Sequence, residues 1–380
     1  KLATDTDGVL TPSRSEPLRA ATNPLTGRAI GFVNQSDSSL LVLADVQAKA
    51  SSIQTKAITT FPIGVSTHGA NRNTHMQFPV ETHFDAVRLV LLNGQAVTQT
   101  GIQASFGVSA APIADLAAMN AFVPDAFVNV TWSAASSVTQ SAGIGAKSPG
   151  YTVSDWMDMS SVTPSSGALP WVHLRVFQPA ANANISQVTT SNLAWMNAAS
   201  DGRTFNYWYK DTTDTTQNMP AWSSGAAVAP RSVPFAIQYK SRGRIRTLGV
   251  FGDSLAFGQG GTNYGNGYAR LLQNQLSTAA RPVEFANFGM PGATTTEFYN
   301  NLLALIAAGV VPHWSIFHAG GPNDITPPIT AANITTMRTQ TTKAIDALLA
   351  AGSIPFVATW CPANTAAKNY AASDSLRVAY

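Results

Sequence analysis

The chain has 380 residues and a formal net charge of +3, and only 11% of its residues are charged. At about 150 residues per domain this length predicts two or three domains, and scattered Lys and Arg without interleaved aromatic residues argue against a nucleic-acid partner. The longest apolar run, residues 302–311, is far shorter than the roughly 20 residues of a membrane span, and a single cysteine excludes an internal disulfide and a cysteine-based zinc site.

The first region, residues 1–55, is predicted to be an extended, irregular leader or stem. Pro12, Pro17 and Pro24 lie there among Asp, Ser, Thr and Asn residues. A solvated stem and a strand added to a neighbouring molecule both fit this composition.

The second region, residues 56–240, is predicted to be all β. Short runs with period-two alternation are bounded by turn residues, and the clearest of them are 86–92, 126–132 and 171–177. Several short strands without helical stretches favour a β-sandwich or jelly roll.

The third region, residues 241–380, is predicted to be an α/β domain with a doubly wound parallel sheet, because strands alternate with amphipathic helices. The predicted strands are 244–251, 284–288, 313–319 and 353–360. Three helices are predicted. The first carries Tyr268, Leu271, Leu272 and Leu276 on one face, the second begins at a capping box of Thr294 and Glu297, and the third runs from Thr330 to Gly352. Residues 373–380 are typical of the start of one more helix, so the domain is expected to be incomplete at its C-terminus.

Unusual residues follow each of the first three strands of this domain, and working residues of open α/β sheets lie at such carboxyl ends. The segments are Gly252-Asp253-Ser254-Leu255, the segment around Gly289, and Gly321-Pro322-Asn323-Asp324. Ser254 is placed to be a nucleophile. The backbone N–H groups of Ser254 and Gly289 and the amide of Asn323 are candidate donors to an oxyanion. Each segment alone fits an ordinary turn, but the three in order favour acyl-transfer chemistry.

These three segments resemble the sequence blocks of the GDSL or SGNH hydrolases. The resemblance covers about residues 244–380 and implies a serine esterase or lipase in which Ser254, Gly289 and Asn323 are catalytic. It also implies a His general base with an Asp three residues before it. No His of this sequence has such an Asp, so the resemblance places the base after Tyr380, within roughly 40–70 further residues.

Other polar residues of the chain receive weaker assignments. Asp253 and Gly321 are assigned to substrate binding, although Asp253 and Asp324 also fit turn-stabilising carboxylates. His318 is expected to be a strand-end residue with a satisfied ring rather than the base. His68 and His75 are assigned to one polar loop without a nearby carboxylate, so no metal is predicted, and the chemistry requires no cofactor.

The leading functional hypothesis is an extracellular or surface-displayed serine esterase that removes O-acetyl groups from a polysaccharide. The resemblance implies a carbohydrate ester as substrate, because family members that act on polysaccharides carry a jelly roll ahead of the hydrolase domain. Trp156, Trp195, Trp208 and Trp222 are candidates for sugar stacking, although aromatics of a β-sandwich more often belong to its core. The charge-poor composition suits a protein that works outside a cell. A second hypothesis replaces the glycan by a lipid or simple ester. A third is a non-catalytic structural or glycan-binding protein of a virion or cell surface. A homo-oligomer or larger assembly fits each of the three.

Overall fold

The computed structural model describes, with side chains, residues 71–114, 118–119, 122, 126–144, 147–163, 167–182, 233, 235–243, 245–258, 267–324 and 330–358. It describes the backbone alone at 2–4, 10–12, 18–22, 29–34, 40–42, 53–57, 63–67, 184–188 and 206–211. Two compact units divide the chain, Lys1–Ser51 and Ser52–Tyr380. The predicted helix at 373–380, and with it Trp195, Trp222 and His68, lies outside the described residues.

The first unit contains two small antiparallel sheets. One pairs β1 (Leu2–Thr4) with β2 (Leu10–Pro12), and the other has the order β3-β4-β5, formed by Leu18–Thr22, Ala29–Asn34 and Leu40–Val42. The predicted irregular leader missed these strands, because three to six residues carry too little alternation to reveal a period of two.

A six-stranded antiparallel sheet has the order β11-β10-β15-β8-β17, with β12 also paired to β10. Its strands are β8 (Arg72–Pro79), β10 (Gln99–Ser109), β11 (Ala126–Asn129), β12 (Val138–Gln140), β15 (Trp171–Gln178) and β17 (Asn206–Asp211). A separate pair joins β7 (Ile63–Thr67) to β16 (Asn184–Val188). The strands predicted at 126–132 and 171–177 are therefore both present, the first of them shorter than expected.

A nine-stranded mixed sheet has the order β13-β9-β18-β6-β20-β19-β21-β22, with β14 also paired to β9. Its antiparallel part comprises β6 (Ile53–Ala57), β9 (Phe84–Asn93), β13 (Gly150–Val153), β14 (Met157–Asp158) and β18 (Phe235–Ser241). Its parallel part comprises β19 (Arg246–Gly252), β20 (Val283–Gly289), β21 (Trp314–His318) and β22 (Ile354–Ala358). The sheet thus runs across residue 240, the boundary predicted between the second and third regions of the sequence.

The two large sheets pack face to face around one hydrophobic core. Buried side chains of both sheets belong to this core, and the ring of Phe78 on β8 lies 5.6 Å from the ring of Phe235 on β18. The six-stranded sheet therefore covers the antiparallel half of the nine-stranded sheet, which is the layered packing expected when sheets bury one face each.

Four helices in the described residues accompany the parallel strands. They are α1 (Ser254–Phe257), α2 (Tyr268–Leu276), α3 (Thr295–Ala307) and α4 (Ala331–Ala350). Phe257 of α1 and Ala269 of α2 pack with one face of the sheet, whereas α3 and α4 pack with the other. Helices on both faces of parallel strands confirm the predicted α/β architecture of this part of the chain.

The packing face of α2 differs from the one that its amphipathic pattern suggested. Tyr268, Leu271, Leu272 and Leu276 are exposed, whereas Ala269, Arg270 and Gln273 are buried. Gln273 Nε2 donates to the carbonyl of Val283, and the Arg270 guanidinium lies 5.7 Å from the Phe285 ring. The sequence shows the apolar stripe of this helix, but it does not show which side of the helix faces the sheet. That side carries polar residues, which are buried with partners. None of the helices in the described ranges is long and apolar enough to cross a membrane.

Two histidines are buried side by side on β8 and β15. His75 Nε2 lies 3.1 Å from His173 Nδ1, and His173 Nε2 lies 2.7 Å from Ser109 Oγ. The assignment of His75 to a polar loop is therefore wrong, because residues 72–79 form a strand of the six-stranded sheet. Burial, helped by the charge of Arg175, lowers the pKa of His173 to about 3 and that of His75 well below its usual range.

We expect this pair to destabilise the fold in acid. The unfolded chain binds protons on these residues below a pH of about 6.5, whereas the folded chain keeps His173 neutral down to a pH of about 3. The free energy of unfolding should therefore fall as pH falls through this window, by up to about 1.4 kcal/mol per pH unit for each histidine. Urea unfolding between pH 7.5 and 5 measures this slope. The variant His173→Gln should show a smaller slope. An unchanged slope would contradict the assignment of the acid destabilisation to this histidine pair.

Candidate active site

Three neighbouring parallel strands bring the predicted site segments to one edge of the sheet. β19 lies between β20 and β21, and the register pairs Gly252 with Gly289 and Phe251 with Phe317. Ser254 follows β19 by two residues, Gly289 ends β20, and Asn323 follows β21 by five residues. The three predicted segments therefore converge, as expected from the common direction of parallel strands.

Ser254 is the first residue of α1, and the carboxylate before it caps this short helix. Asp253 is fully buried, and its Oδ1 accepts a hydrogen bond of 2.9 Å from the Leu255 N–H. Its Oδ2 has no hydrogen-bond partner in the described part of the chain. A Cβ on Gly321 would lie 2.2 Å from this Oδ2, so only glycine allows the third segment to approach the first this closely.

The predicted turn-stabilising function of Asp253 thus agrees with the hydrogen bond that caps α1. Asp253 and Gly321 are both buried and in contact with each other. Direct contact of either residue with a substrate stays a prediction, and such contact requires that this packing opens.

Gly289 lies flat against the backbone of α1. A Cβ on Gly289 would come within 2.3 Å of the Phe257 nitrogen, which leaves no room for any side chain. Its N–H donates to Asn287 Oδ1 at 2.9 Å, and Asn287 Nδ2 donates to the Phe257 carbonyl at 3.0 Å. The sequence predicts glycine here so that an oxygen can approach the amide. In the structure, glycine is needed for the packing of β20 on α1.

Asn323 and Asp324 fold the third segment onto the start of α3. Asn323 Nδ2 donates to the Ala293 carbonyl at 3.0 Å, which leaves its second N–H for another acceptor. The carboxylate of Asp324 accepts from the N–H and hydroxyl of Thr295 at 2.8 and 2.7 Å, and from the N–H of Gly321 at 3.0 Å. Burial raises the pKa of Asp324 despite these bonds. Asp324 therefore stabilises this turn, as predicted.

His318 ends β21 and contacts the segment of the predicted nucleophile. Its Nδ1 lies 3.6 Å from Asp253 Oδ1, and its Nε2 is hydrogen-bonded to the hydroxyl of Tyr268. The ring packs on the backbone of Gly252, where a Cβ would lie 2.6 Å from His318 Cγ. Desolvation of the hydroxyl, and secondly the charge of Asp253, raises the pKa of Tyr268, although much of its side chain is exposed. The expectation of a strand-end His with a satisfied ring is confirmed.

Sequence reasoning missed Asn287, Thr295 and Tyr268. The side chain of Asn287 is hydrogen-bonded to the backbone of Gly289 and Phe257. Thr295 is hydrogen-bonded to Asp324, and Tyr268 to His318. The sequence offered one signal, a polar Asn inside the apolar strand 284–288, since a buried polar side chain requires partners. The other two lie on helices and come near the site only in the folded chain.

Of the four tryptophans proposed for sugar stacking, Trp156 has a described side chain. The Trp156 ring has Arg88 Cζ at 4.9 Å and Lys240 Nζ at 4.8 Å from its centroid. Cations thus already interact with this indole. The side chain of Trp208 lies outside the described atoms.

The same part of the chain matches a known protein family. Residues 250–380 match the model of the GDSL-like lipase/acylhydrolase family. This segment therefore resembles a hydrolase domain of the SGNH type, and the match covers about a third of the chain. A search of curated proteins found no relative of the chain.

Two solved structures show weak similarity. The Bacillus subtilis protein YxiM is 12% identical, over 74% of this chain and 56% of its own, with a TM-score of 0.25. The acetyl xylan esterase Est2A from the rumen bacterium Butyrivibrio proteoclasticus is 9% identical, over 82% of this chain and 78% of its own, with a TM-score of 0.26. The chain thus spans just over half the length of the first. TM-scores this low carry no argument about the fold or the function of this chain.

The close packing of Gly289 makes a testable prediction about stability. Gly289→Ala should lower the free energy of unfolding by about 1–3 kcal/mol or more, because the added methyl group meets backbone atoms that cannot move aside. Gly243→Ala is the matched control, since its Cβ would meet only the end of the Thr82 side chain at 3.3 Å. Chemical denaturation measures both variants, and equal losses would contradict the packing argument.

Proposed function

We propose that the protein is a serine esterase that hydrolyses carboxylic esters, with Ser254 as nucleophile. The observation that carries the proposal is the convergence of Ser254, Gly289 and Asn323 at the carboxyl ends of adjacent parallel strands, inside the segment that matches an acylhydrolase family. A serine at the start of a helix, beside backbone and side-chain N–H donors, is an arrangement suited to acyl transfer.

In the proposed reaction the Ser254 oxygen attacks the ester carbonyl and loses its proton to a general base. The tetrahedral oxyanion receives hydrogen bonds from the N–H of Ser254, the N–H of Gly289 and the free amide hydrogen of Asn323. Collapse expels the alcohol, which takes the proton, and water then hydrolyses the acyl-enzyme by the same steps. For Gly289 to donate to the oxyanion, its present bond to Asn287 must be exchanged for the new one.

The general base of this proposal is a histidine with an Asp three residues before it, as in the family pattern. No such pair occurs in the printed sequence. His318 is not proposed as the base, because its Nε2 is already hydrogen-bonded to the hydroxyl of Tyr268.

We propose O-acetyl groups on a polysaccharide as the substrate, and an extracellular or surface-displayed site of action. The charge-poor composition supports the extracellular site of action, and the match of residues 250–380 to an acylhydrolase family supports an ester as substrate. We further propose that the six-stranded sheet and the antiparallel strands of the nine-stranded sheet form a jelly-roll-like domain at 56–240, followed by the hydrolase domain at 241–380. A glycan-binding protein without turnover is the alternative that the first experiment below tests.

Removing the nucleophile or one oxyanion donor should abolish most activity on p-nitrophenyl acetate. Ser254→Ala should reduce kcat to background. Asn323→Ala should reduce kcat by roughly 10²–10³-fold, because one oxyanion donor contributes that much. Initial rates of purified variants measure this, with circular dichroism as the control for folding. Full activity of Asn323→Ala would overturn the oxyanion assignment, and an inactive but folded wild-type chain that binds glycans would favour the non-catalytic alternative.

The acyl preference separates a glycan acetylesterase from a lipid esterase. We expect kcat/KM to be highest for the acetyl ester and to fall for butyryl and octanoyl esters. A series of p-nitrophenyl esters at equal concentration measures this preference. An optimum at long acyl chains would contradict the proposed acetyl specificity and leave the serine esterase assignment intact.

A further inference from the structure

A polar surface cleft lies beside Asn323. It has a volume of about 280 Å³ and is lined by residues from the start of α3, the third site segment and the first turns of α4, namely Thr294, Thr296, Asn323, Asp324, Asn333 and Thr336. Every lining side chain carries a hydroxyl, an amide or a carboxyl group. The cleft therefore shares a residue with the proposed oxyanion site.

Most polar groups of the cleft are held by the protein itself. Thr294 and Glu297 form the capping box of α3, and Asn333 forms the equivalent box with Thr330 at the start of α4. The two oxygens of Asp324 accept three hydrogen bonds in total. These groups shape the cleft and leave little capacity for a ligand.

Two hydroxyl groups remain for a ligand. Thr296 and Thr336 form no side-chain hydrogen bond with any other described residue, and they stand on two different helices. The second N–H of Asn323 lies on the same cleft. The free groups are therefore two hydroxyls, which both donate and accept, and one amide donor.

This set of groups selects the chemistry of the ligand. Among the residues that the structure describes, no apolar side chain lines the cleft, which argues against an acyl chain, and no Lys or Arg lines it, which argues against a phosphate or carboxylate. Among the described lining residues Asp324 alone carries a carboxylate, and it already accepts three hydrogen bonds from the protein, so it offers a cation at most one further lone pair. Neutral groups that donate and accept complement neutral hydroxyls, as on a sugar ring. The volume is just below the range of about 300–1,000 Å³ for small-molecule pockets.

We propose that this cleft binds one sugar ring of the substrate through the hydroxyls of Thr296 and Thr336. The inference rests on the proposed esterase function, which it extends by assigning the part of the substrate that carries the ester. A ring held there would lie next to Asn323, so that its acyl group can reach the oxyanion donors. The cleft then raises specificity for glycan esters over simple esters.

The test compares two substrates in Thr296→Val, Thr336→Val and the double variant. The substrates are partially O-acetylated xylo-oligosaccharides and p-nitrophenyl acetate. Valine keeps the shape of threonine and replaces the hydroxyl with a methyl group. Each single variant should lower the ratio of kcat/KM for the oligosaccharide to kcat/KM for the small ester by about 2- to 13-fold, which corresponds to one hydrogen bond of 0.5–1.5 kcal/mol.

Thr335→Val is the matched control, because Thr335 is adjacent in sequence, exposed, and hydrogen-bonded to Ala331 within α4. It should leave the ratio unchanged. An unchanged ratio in the double variant, with activity intact, would overturn the cleft proposal and leave the esterase standing. If the wild type turns over neither ester, the esterase proposal fails. Calorimetry then measures the binding of the same oligosaccharides to the wild type and the double variant, which tests the cleft alone. Equal affinities would overturn the cleft proposal.

Discussion

The buried carboxylate of Asp253 is the interaction on which the geometry of the site depends. It caps the helix that begins at Ser254, lies 3.6 Å from the ring of His318, and contacts Gly321. A buried carboxylate is costly unless polar groups surround it, so the segments after β19 and β21 are held close to one another. The position of Ser254 follows from this contact, because the capped turn begins one residue after Asp253.

Glycine makes the remaining close contacts of the site possible. The ring of His318 packs on Gly252, the backbone of α1 packs on Gly289, and the carboxylate of Asp253 packs on Gly321. At each position a Cβ would come within 2.6 Å of another atom, so the site is built from backbone surfaces in direct contact. Side chains such as Asn287 and Asp324 then tie these surfaces together through hydrogen bonds. The result is a closely packed edge of the sheet that carries Ser254, Gly289 and Asn323.

The hydrolase segment shares its sheet with strands from earlier in the chain. β6 pairs in parallel with β20 and in antiparallel fashion with β18. The antiparallel strands therefore extend the sheet beyond β20, and the six-stranded sheet packs on one face of these antiparallel strands. This continuity protects one edge of the parallel strands, which would otherwise expose unpaired backbone groups. The segment that matches the family thus gains its stability from residues on both sides of the predicted boundary at 240.

Much of the local structure was visible in the sequence. The capping box of Thr294 and Glu297, the helix from Thr330 to Gly352 and the strands around β9, β15, β19, β20 and β21 follow from turn chemistry and hydrophobic period, which are local properties. The convergence of Ser254, Gly289 and Asn323 was also predictable, because parallel strands place their carboxyl ends at one edge. Each of these features needs only nearby residues and the direction of a strand.

Tertiary structure alone decided the rest. The burial of His75 against His173, the outward apolar face of α2 and the pairing of β6 with β20 depend on residues far apart in the chain. The bond between Gly289 and Asn287 is local, but the reason for glycine at 289 is the α1 backbone across from it. Sequence patterns record which residue types alternate, whereas packing decides which face meets which partner. The sequence by itself therefore determined the elements and the candidate site, and the folded chain determined what surrounds them.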